Sequence, residues 1–407
     1  MKPARLRHVA QINPAVPGWD LIDDEEELTF VPLEAVWPGR VRFTEHKPKA
    51  AVATGYTRFI EGDVVVPKIT PTFEGDRSTR IEGMPTRVGA GTTELHVIRC
   101  GPMVDSRYVS YLMSSRQFLH GGAAEMIGVA GQKRVPDDWL RDTCVWVGNL
   151  GQQRSIADHL DTETARIDAL VAKKRRMIEL LDEREQCMID RAFGPDDYVP
   201  LVRLGYVGVV QTGLTVNAGR AEEHSDLTVP YLRVANVQHG RLDLSEVKVV
   251  RVPAALAARS RLRTGDVLMT EGGDIDKLGR GTVWNDEVPG ATHQNHVFAV
   301  RADRSRLSPE FLAHVTRSAH ARAYFESTGV QSTNLASTSS TKVADFRLPL
   351  PSRDEQDRIT ANFDKWSATN VRIVSAIRQQ LELLVEHRQA LITAAVTGAL
   401  AISGVAT

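Results

Sequence analysis

Lys68, Thr70, Thr72, Glu74 and Arg77 crowd the segment that follows the β-type run GDVVVPKI, and Thr92, Thr93 and Glu94 precede the next such run, LHVIR. Gln132, Lys133 and Arg134 then follow a glycine turn in GVAGQKR. Side chains of these types suit one chemistry well. Those with two hydrogen-bonding groups discriminate base edges, while Lys and Arg also hold phosphates. Farther along, Thr270, Glu271, Lys277 and Arg280 stand after GDVLM, His293, Gln294 and Asn295 precede another strand-like run, and Gln331, Thr333 and Asn334 follow another glycine. Taken singly, each is as readily a solvated loop residue as a base contact. Their recurrence in the same order favours the group reading.

Enzymatic readings fare worse. GVAGQKR places a Lys after glycines but lacks GxxxxGK[ST], so it is no phosphate loop, and GGDIDKLGRG opens no helix at dinucleotide-fingerprint spacing. His293 and His296 in HQNH could begin a metal site, but no Cys or carboxylate partner stands at standard spacing. No GxSxG and no adenine-methyltransferase NPPY or DPPY tetrapeptide occurs, and the acidic run Asp23 to Glu27 reads as a solvated loop. No catalytic constellation and no bound metal are expected. Cys100, Cys144 and Cys187 are scattered without a CxxC, and the expectation is reduced core thiols.

At 407 residues the chain is long enough for two domains, and 42% hydrophobic with 25% charged residues is ordinary for a soluble protein. The N-terminus has no apolar h-region, and the run Leu391 to Ile402 is too short to span a membrane, so a cytoplasmic protein is expected. A net charge of −1 argues mildly against a nucleic-acid binder. Local runs nevertheless go the other way: Arg251 to Arg263 carries four arginines and no acid.

The elements that would position these residues are written twice. LLDEREQCMI from Leu180 and LLVEHRQALI from Leu383 share their leucines, Glu183 with Glu386, Gln186 with Gln389, and Ile189 with Ile392, at an offset of 203. At the same offset QQRSIADHLD aligns with EQDRITANFD, and EGDVV with TGDVL. The protein is therefore a duplication of one unit of roughly 200 residues. Each copy reads as a mixed α/β part followed by a long helix with neither Gly nor Pro from Gln152 to Phe193 or from Asp354 to Thr397, giving boundaries at 1–151, 152–193, 194–353 and 354–407. Val171, Ile178, Leu181 and Met188, and their counterparts Val374, Leu381, Leu384 and Leu391, step by seven, three and seven, an a/d stripe. Helices that long with so narrow a stripe predict an antiparallel coiled coil of the two copies. The expected fold class is α+β: two mixed domains separated by two long antiparallel helices, with a pseudo-two-fold internal repeat.

QQRSIADHLDTETARIDALVAKKRRMIELLDEREQCMI resembles the central conserved helix, and DEQDRITANFDKWSATNVRIVSAIRQQLELLVEHRQALITAAVTGAL the C-terminal one, of the specificity subunits of type I restriction–modification systems, the HsdS family. GVAGQKRVPDDWLRDTCVWV and STGVQSTNLASTSSTKVADFRLPLP resemble the closing segments of that family's target recognition domains. The first copy departs from the pattern, with VWVGNLGQQ where a Pro-rich strand end is usual; the second keeps RLPLPSRDEQ. The resemblance implies that each domain reads one half of a bipartite sequence in double-stranded DNA and that the helices set the spacing. It implies docking of two methyltransferase subunits, to which two restriction subunits can add. S-adenosylmethionine, ATP and magnesium would be bound by those partners, as would the flipped adenine. The recurring polar positions Glu183, Gln186, Glu386 and Gln389 would then form similar outer faces for two identical partners. Exchanging Gly62 to Gly151 for another recognition domain should change one half of the target. The competing reading is a protein–protein adaptor on a coiled-coil spacer, which would show no salt-sensitive DNA binding.

Overall fold

A computed structural model of the chain describes residues 2–129, 131–216, 223–238, 240–275, 278–331 and 336–402. The chain divides into two compact units, Met1–Arg175 with Arg378–Thr407, and Arg176–Ile377. The boundaries expected from sequence follow element order, whereas the units follow contacts and therefore cut both long helices, Leu150–Phe193 and Arg353–Val396.

In the first unit, Ala10–Ile12, Leu95–Cys100, Val64–Pro67 and Thr79–Arg80 form one antiparallel sheet in that order. Glu45–Pro48, Glu27–Val31, Val88–Gly91 and Thr57–Ile60 form a second, in which Val88–Gly91 runs parallel to Glu27–Val31. The run VVV at 64–66 is buried on both faces, as its β-branched composition dictates. Val64 and Val66 pack with Ile98, Tyr108 and Phe118, whereas Val65 joins Val31, Phe59, Leu95 and Val97. Each such valine contributes about 2 kcal/mol of burial. Two helices follow, Ser106–Met113 and Arg116–Ala124, whose first turns donate N–H groups to the capping side chains of Asp105 and Ser115. Ile156, Leu160, Ile392 and Val396 of the long helices complete this core. The strand Lys2–Arg5 closes the unit by pairing antiparallel with Cys144–Val147.

The second unit repeats this plan. Gly208–Thr212, Val297–Ala302, Asp266–Thr270 and Gly281–Val283 form the antiparallel sheet, and Leu227–Leu232 pairs parallel with Thr292–His293. Val267 and Met269 join one core while Leu268 joins another with Val297 and Ala299. Helices Pro309–Val315 and Ala319–Thr328 are capped by Ser308 and Ser318, and Leu201–Arg203 pairs with Arg347–Pro349. Phe193 stacks edge-on against Phe363 at 5.3 Å, joining the two long helices in this core.

Buried polar chemistry is duplicated as faithfully as the strands. Gln153 and Gln356 are both fully buried. The Gln153 amide oxygen accepts from Asp105 N at 2.8 Å while its nitrogen donates to the carbonyls of Met103 and Gly148. Gln356 does the same with Ser308 N and the carbonyls of Arg306 and Pro351. Each glutamine thus locks the start of a long helix to the loop before the paired helices. The departing segment VWVGNLGQQ has its own solution: Asn149 Oδ1 accepts from Gln152 N at 2.9 Å and Asn149 N donates to Gln152 Oε1 at 3.1 Å. That reciprocal cap starts the helix at Leu150, two residues before the sequence expectation.

The eight expected seam positions, stepping by seven, three and seven, are half-buried, apart from buried Val374. In the first unit, Lys174 Nζ donates to Gln380 Oε1 at 2.5 Å, and Arg388 lies 3.3 Å from Asp168. Rising numbers on one helix meet falling numbers on the other, so the pairing is antiparallel. In the second unit Glu185 accepts from Asn370 at 3.0 Å and from Arg317 at 2.7 Å.

Two expectations need correcting. Gln186 and Gln389 do not form outer faces. Gln186 donates to Arg317 O at 3.2 Å and Gln389 donates to Ser114 O, each at the turn between a unit's paired helices. Four residues on, Asp190 accepts from Ala319 N at 2.6 Å and Thr393 from Arg116 N at 3.0 Å, satisfying first-turn N–H groups that the helices leave open. Glu183 and Glu386 are exposed. The cysteines are not all core thiols either: Cys144 and Cys187 are exposed and Cys100 is half-buried, all three free. Burial pushes the Cys100 thiol up to about 12. Among the described residues no helix is long and apolar enough to cross a membrane.

Candidate nucleic-acid interface

Three backbone segments meet where the strand Val64–Pro67 ends. Lys68 N donates to Glu94 O at 2.7 Å, and Val135 N donates to Lys68 O at 2.9 Å. Thr70 N donates to Lys133 O at 3.0 Å, its hydroxyl donates to Gly131 O at 2.6 Å, and Lys133 N donates to that hydroxyl at 3.2 Å. These bonds tie the hairpin Ile127–Val129 with Gln132–Arg134 to the strand end, and every residue of the two hairpin strands is exposed. Lys68, Thr70, Gln132, Lys133 and Arg134 are therefore brought together with Glu94. Thr92 shares the turn, its hydroxyl accepting from Glu94 N at 3.3 Å, and Thr93 beside it is exposed.

Glu94 and Arg134 form a fork. Arg134 Nε donates to Glu94 Oε2 at 2.8 Å and Nη2 donates to Oε1 at 2.7 Å. That contact holds the Glu94 carboxyl below its ordinary range. Thr72, Glu74 and Arg77 belong to a different arrangement. Phe73 between them is buried in the core, Glu74 is exposed, and the Arg77 guanidinium lies 4.7 Å over Trp37.

Beneath the site, His96 is fully buried, its Nε2 3.0 Å from Val135 O and its Nδ1 3.2 Å from Asp137. Burial, reinforced by Lys68, pulls its pKa down to about 4 against the opposing pull of Asp137. The same ring in an unfolded chain titrates near about 6.5. The folded value is the depressed one, so as pH falls the unfolded state takes up the proton first. Stability of the first unit should fall from about pH 6.5 down to about pH 4, by up to about 1.4 kcal/mol per pH unit from this ring. Phe298 occupies the matching register, opposite Met269 where His96 stands opposite Val66. His96→Phe is expected to lessen the acid loss, read as the pH 7 to pH 5 difference in amide exchange of the first unit. An unchanged difference would contradict this account.

The second unit builds the same frame with other side chains. Glu271 N donates to His296 O at 3.0 Å and Thr338 N to Glu271 O at 2.8 Å, as Lys68 does with Glu94 and Val135. Glu271 Oε2 lies 2.7 Å from His296 Nδ1, and His296 is exposed. Asn295 adjoins it, Gln294 is half-buried, and Gln331 is exposed on its hairpin. Thr270 and His293 are 2% and 1% exposed, so both lie within the fold and not on its surface. His293 Nδ1 is 2.6 Å from Val297 O, and burial lowers its pKa. Arg280 lines a separate 340 Å³ cavity with Thr316 and Glu326. Lys277, Thr333 and Asn334 lie outside the described residues. Among the described residues no group of three His, Cys, Asp or Glu side chains gathers to hold a metal.

Sequence reasoning placed His296 only in a rejected metal pair. The signal that finds it is the repeat: at the position of Glu94 in the first copy stands His296 in the second.

No protein-family model matches the chain. It is 39% identical over 155 residues to the EcoAI type I restriction enzyme specificity subunit of Escherichia coli, an alignment covering 37% of this chain and 26% of that one. It is 32% identical over 191 residues to the EcoEI specificity subunit of the same organism, covering 46% and 29%. The alignments thus span between a quarter and a third of those relatives' lengths. Among solved structures, a chain described in work on assembly and conformational transition of a type I restriction–modification system superposes with a TM-score of 0.76 at 17% identity, covering 98% of each chain. The HsdS subunit of Thermoanaerobacter tengcongensis superposes with a TM-score of 0.56 at 16% identity, covering 98% of this chain and 97% of that one. These likenesses give the fold.

Proposed function

We propose that the chain is a member of the HsdS family of type I restriction–modification specificity subunits, and that it is a non-catalytic DNA-reading and scaffolding subunit. Each unit reads one half of a bipartite duplex target through the site at its strand end, and the two long helices set the interval between halves. Two methyltransferase subunits dock on the chain, and restriction subunits join them. S-adenosylmethionine, ATP and magnesium belong to those partners, and the assembly works on DNA in the cytoplasm.

The observation that carries this reading is a single backbone frame built twice with different polar side chains. Lys68, Glu94 and Arg134 fill it in one copy, and Glu271 with His296 in the other. A fold that keeps its hydrogen bonds and varies the side chains they present is suited to reading two different short sequences. Exposed polar residues on the hairpin beside each frame, Gln132 to Arg134 in one copy and Gln331 in the other, supply the reach into a groove.

The test is binding of a labelled duplex pool by the chain assembled with its methyltransferase subunits. Specific affinity is expected to fall by on the order of 10³ between 50 and 200 mM salt. Binding that ignores salt, or no binding at all, would leave the adaptor reading in its place.

A further inference from the structure

We infer that Arg134, oriented by Glu94, reads a guanine in one half-site, while His296, oriented by Glu271, reads an amino-bearing base in the other. The inference rests on the DNA-reading function proposed above and names the groups that do the reading.

An arginine presents two flat edges, one formed by Nε and Nη2 and the other by Nη1 and Nη2. Glu94 occupies the first edge, with Nε to Oε2 at 2.8 Å, Nε to Oε1 at 3.1 Å and Nη2 to Oε1 at 2.7 Å. The second edge, two roughly parallel N–H groups, lies outside this fork on a side chain 48% exposed. Two parallel donors at that spacing match O6 and N7 of guanine in the major groove. The fork also removes rotamer freedom that the arginine would otherwise lose on binding, which favours a directional base contact over a loose phosphate contact. Glu94 is thus a positioning residue, acting through Arg134.

The second copy answers the same question with different chemistry. Glu271 accepts at 2.7 Å from the Nδ1 side of His296, which sets the tautomer with the proton on Nδ1. Asn295 Nδ2 lies 3.5 Å from Nε2, at the limit of hydrogen bonding, a weak contact that a base amino group would displace. A lone acceptor suits the exocyclic amino group of adenine or cytosine. In neither copy is the carboxylate free to meet DNA alone. Each neutralises or aims a basic side chain.

The experiment uses the chain assembled with its methyltransferase subunits, S-adenosylmethionine and a random-sequence duplex library, reading which sequences become methylated. For Arg134→Ala, discrimination at one G·C position of one half-site should fall about 10- to 100-fold, with the other half-site's profile unchanged. Glu94→Gln should relax the same position less. The double variant should relax it no further than Arg134→Ala, because the two act as one group. A uniform loss across all sequences would make Arg134 a phosphate contact and overturn the inference, as would unchanged profiles. If the unaltered assembly itself methylates no bipartite target, the failure lies with the proposed function, and the inference falls with it.

Discussion

Asp266→Ala is expected to destabilise the second unit by about 3 kcal/mol while leaving the first intact. Asp266 is 1% exposed, on the central strand of the antiparallel sheet. Its carboxylate accepts from Arg301 Nε at 2.8 Å and Nη2 at 2.7 Å, and from Arg263 N at 2.9 Å. Removing it leaves a buried N–H and a guanidinium without their partner. Water reaches the guanidinium because the Arg301 side chain is 27% exposed, which holds the loss to the lower end of the about 3–5 kcal/mol range for broken buried pairs. Amide exchange along Asp266–Thr270 and Val297–Ala302 should rise accordingly. The first unit carries the same device, Asp63 with Arg99 at 2.7 and 2.9 Å, and Asp63→Ala should act there alone. A loss under about 1 kcal/mol, or faster exchange in both units from either variant, would contradict this reading.

The second large effect concerns what is exchanged. Replacing residues 62–151 takes Val88–Gly91 away from its partner strands Glu27–Val31 and Thr57–Ile60, and Leu95–Cys100 away from Ala10–Ile12. Such a chimera is expected to misfold, since mispaired strands and a repacked core each cost several kcal/mol. Replacing residues 2–148 keeps every one of those pairings, together with Lys2–Arg5 on Cys144–Val147. The incoming domain must still offer its backbone to Gln153, Gln389 and Thr393, the points where the long helices grip the first unit. With those contacts kept, one half of the methylated target should change completely and the other not at all. Changes in both halves would contradict separate readers.

The duplication, the long helices and their seam were legible because each rests on local pattern: periodicity, absence of Gly and Pro, and a fixed offset. Strand runs such as VVV at 64–66 were legible for the same reason. What sequence left hidden is set by long-range pairing. The parallel pairing of Glu27–Val31 with Val88–Gly91 joins segments about sixty residues apart, and nothing in either run announces it. The inward roles of Gln186 and Gln389 were hidden because an exposed and a hydrogen-bonded glutamine look alike in a helix. Of the site, Lys68, Thr70 and Lys133 were visible as loop residues, but the fork that aims Arg134 depends on a contact across forty positions. His293 looked like a surface neighbour of Gln294, yet the strand pairing Thr292–His293 buries it.

Methylation of a random duplex library by the chain assembled with its methyltransferase subunits tests the central claim most directly. The expected product is one bipartite target, two short specified segments separated by a fixed run of unspecified base pairs, with different sequences in the two segments. A single continuous recognition sequence, or methylation without sequence preference, would contradict the account.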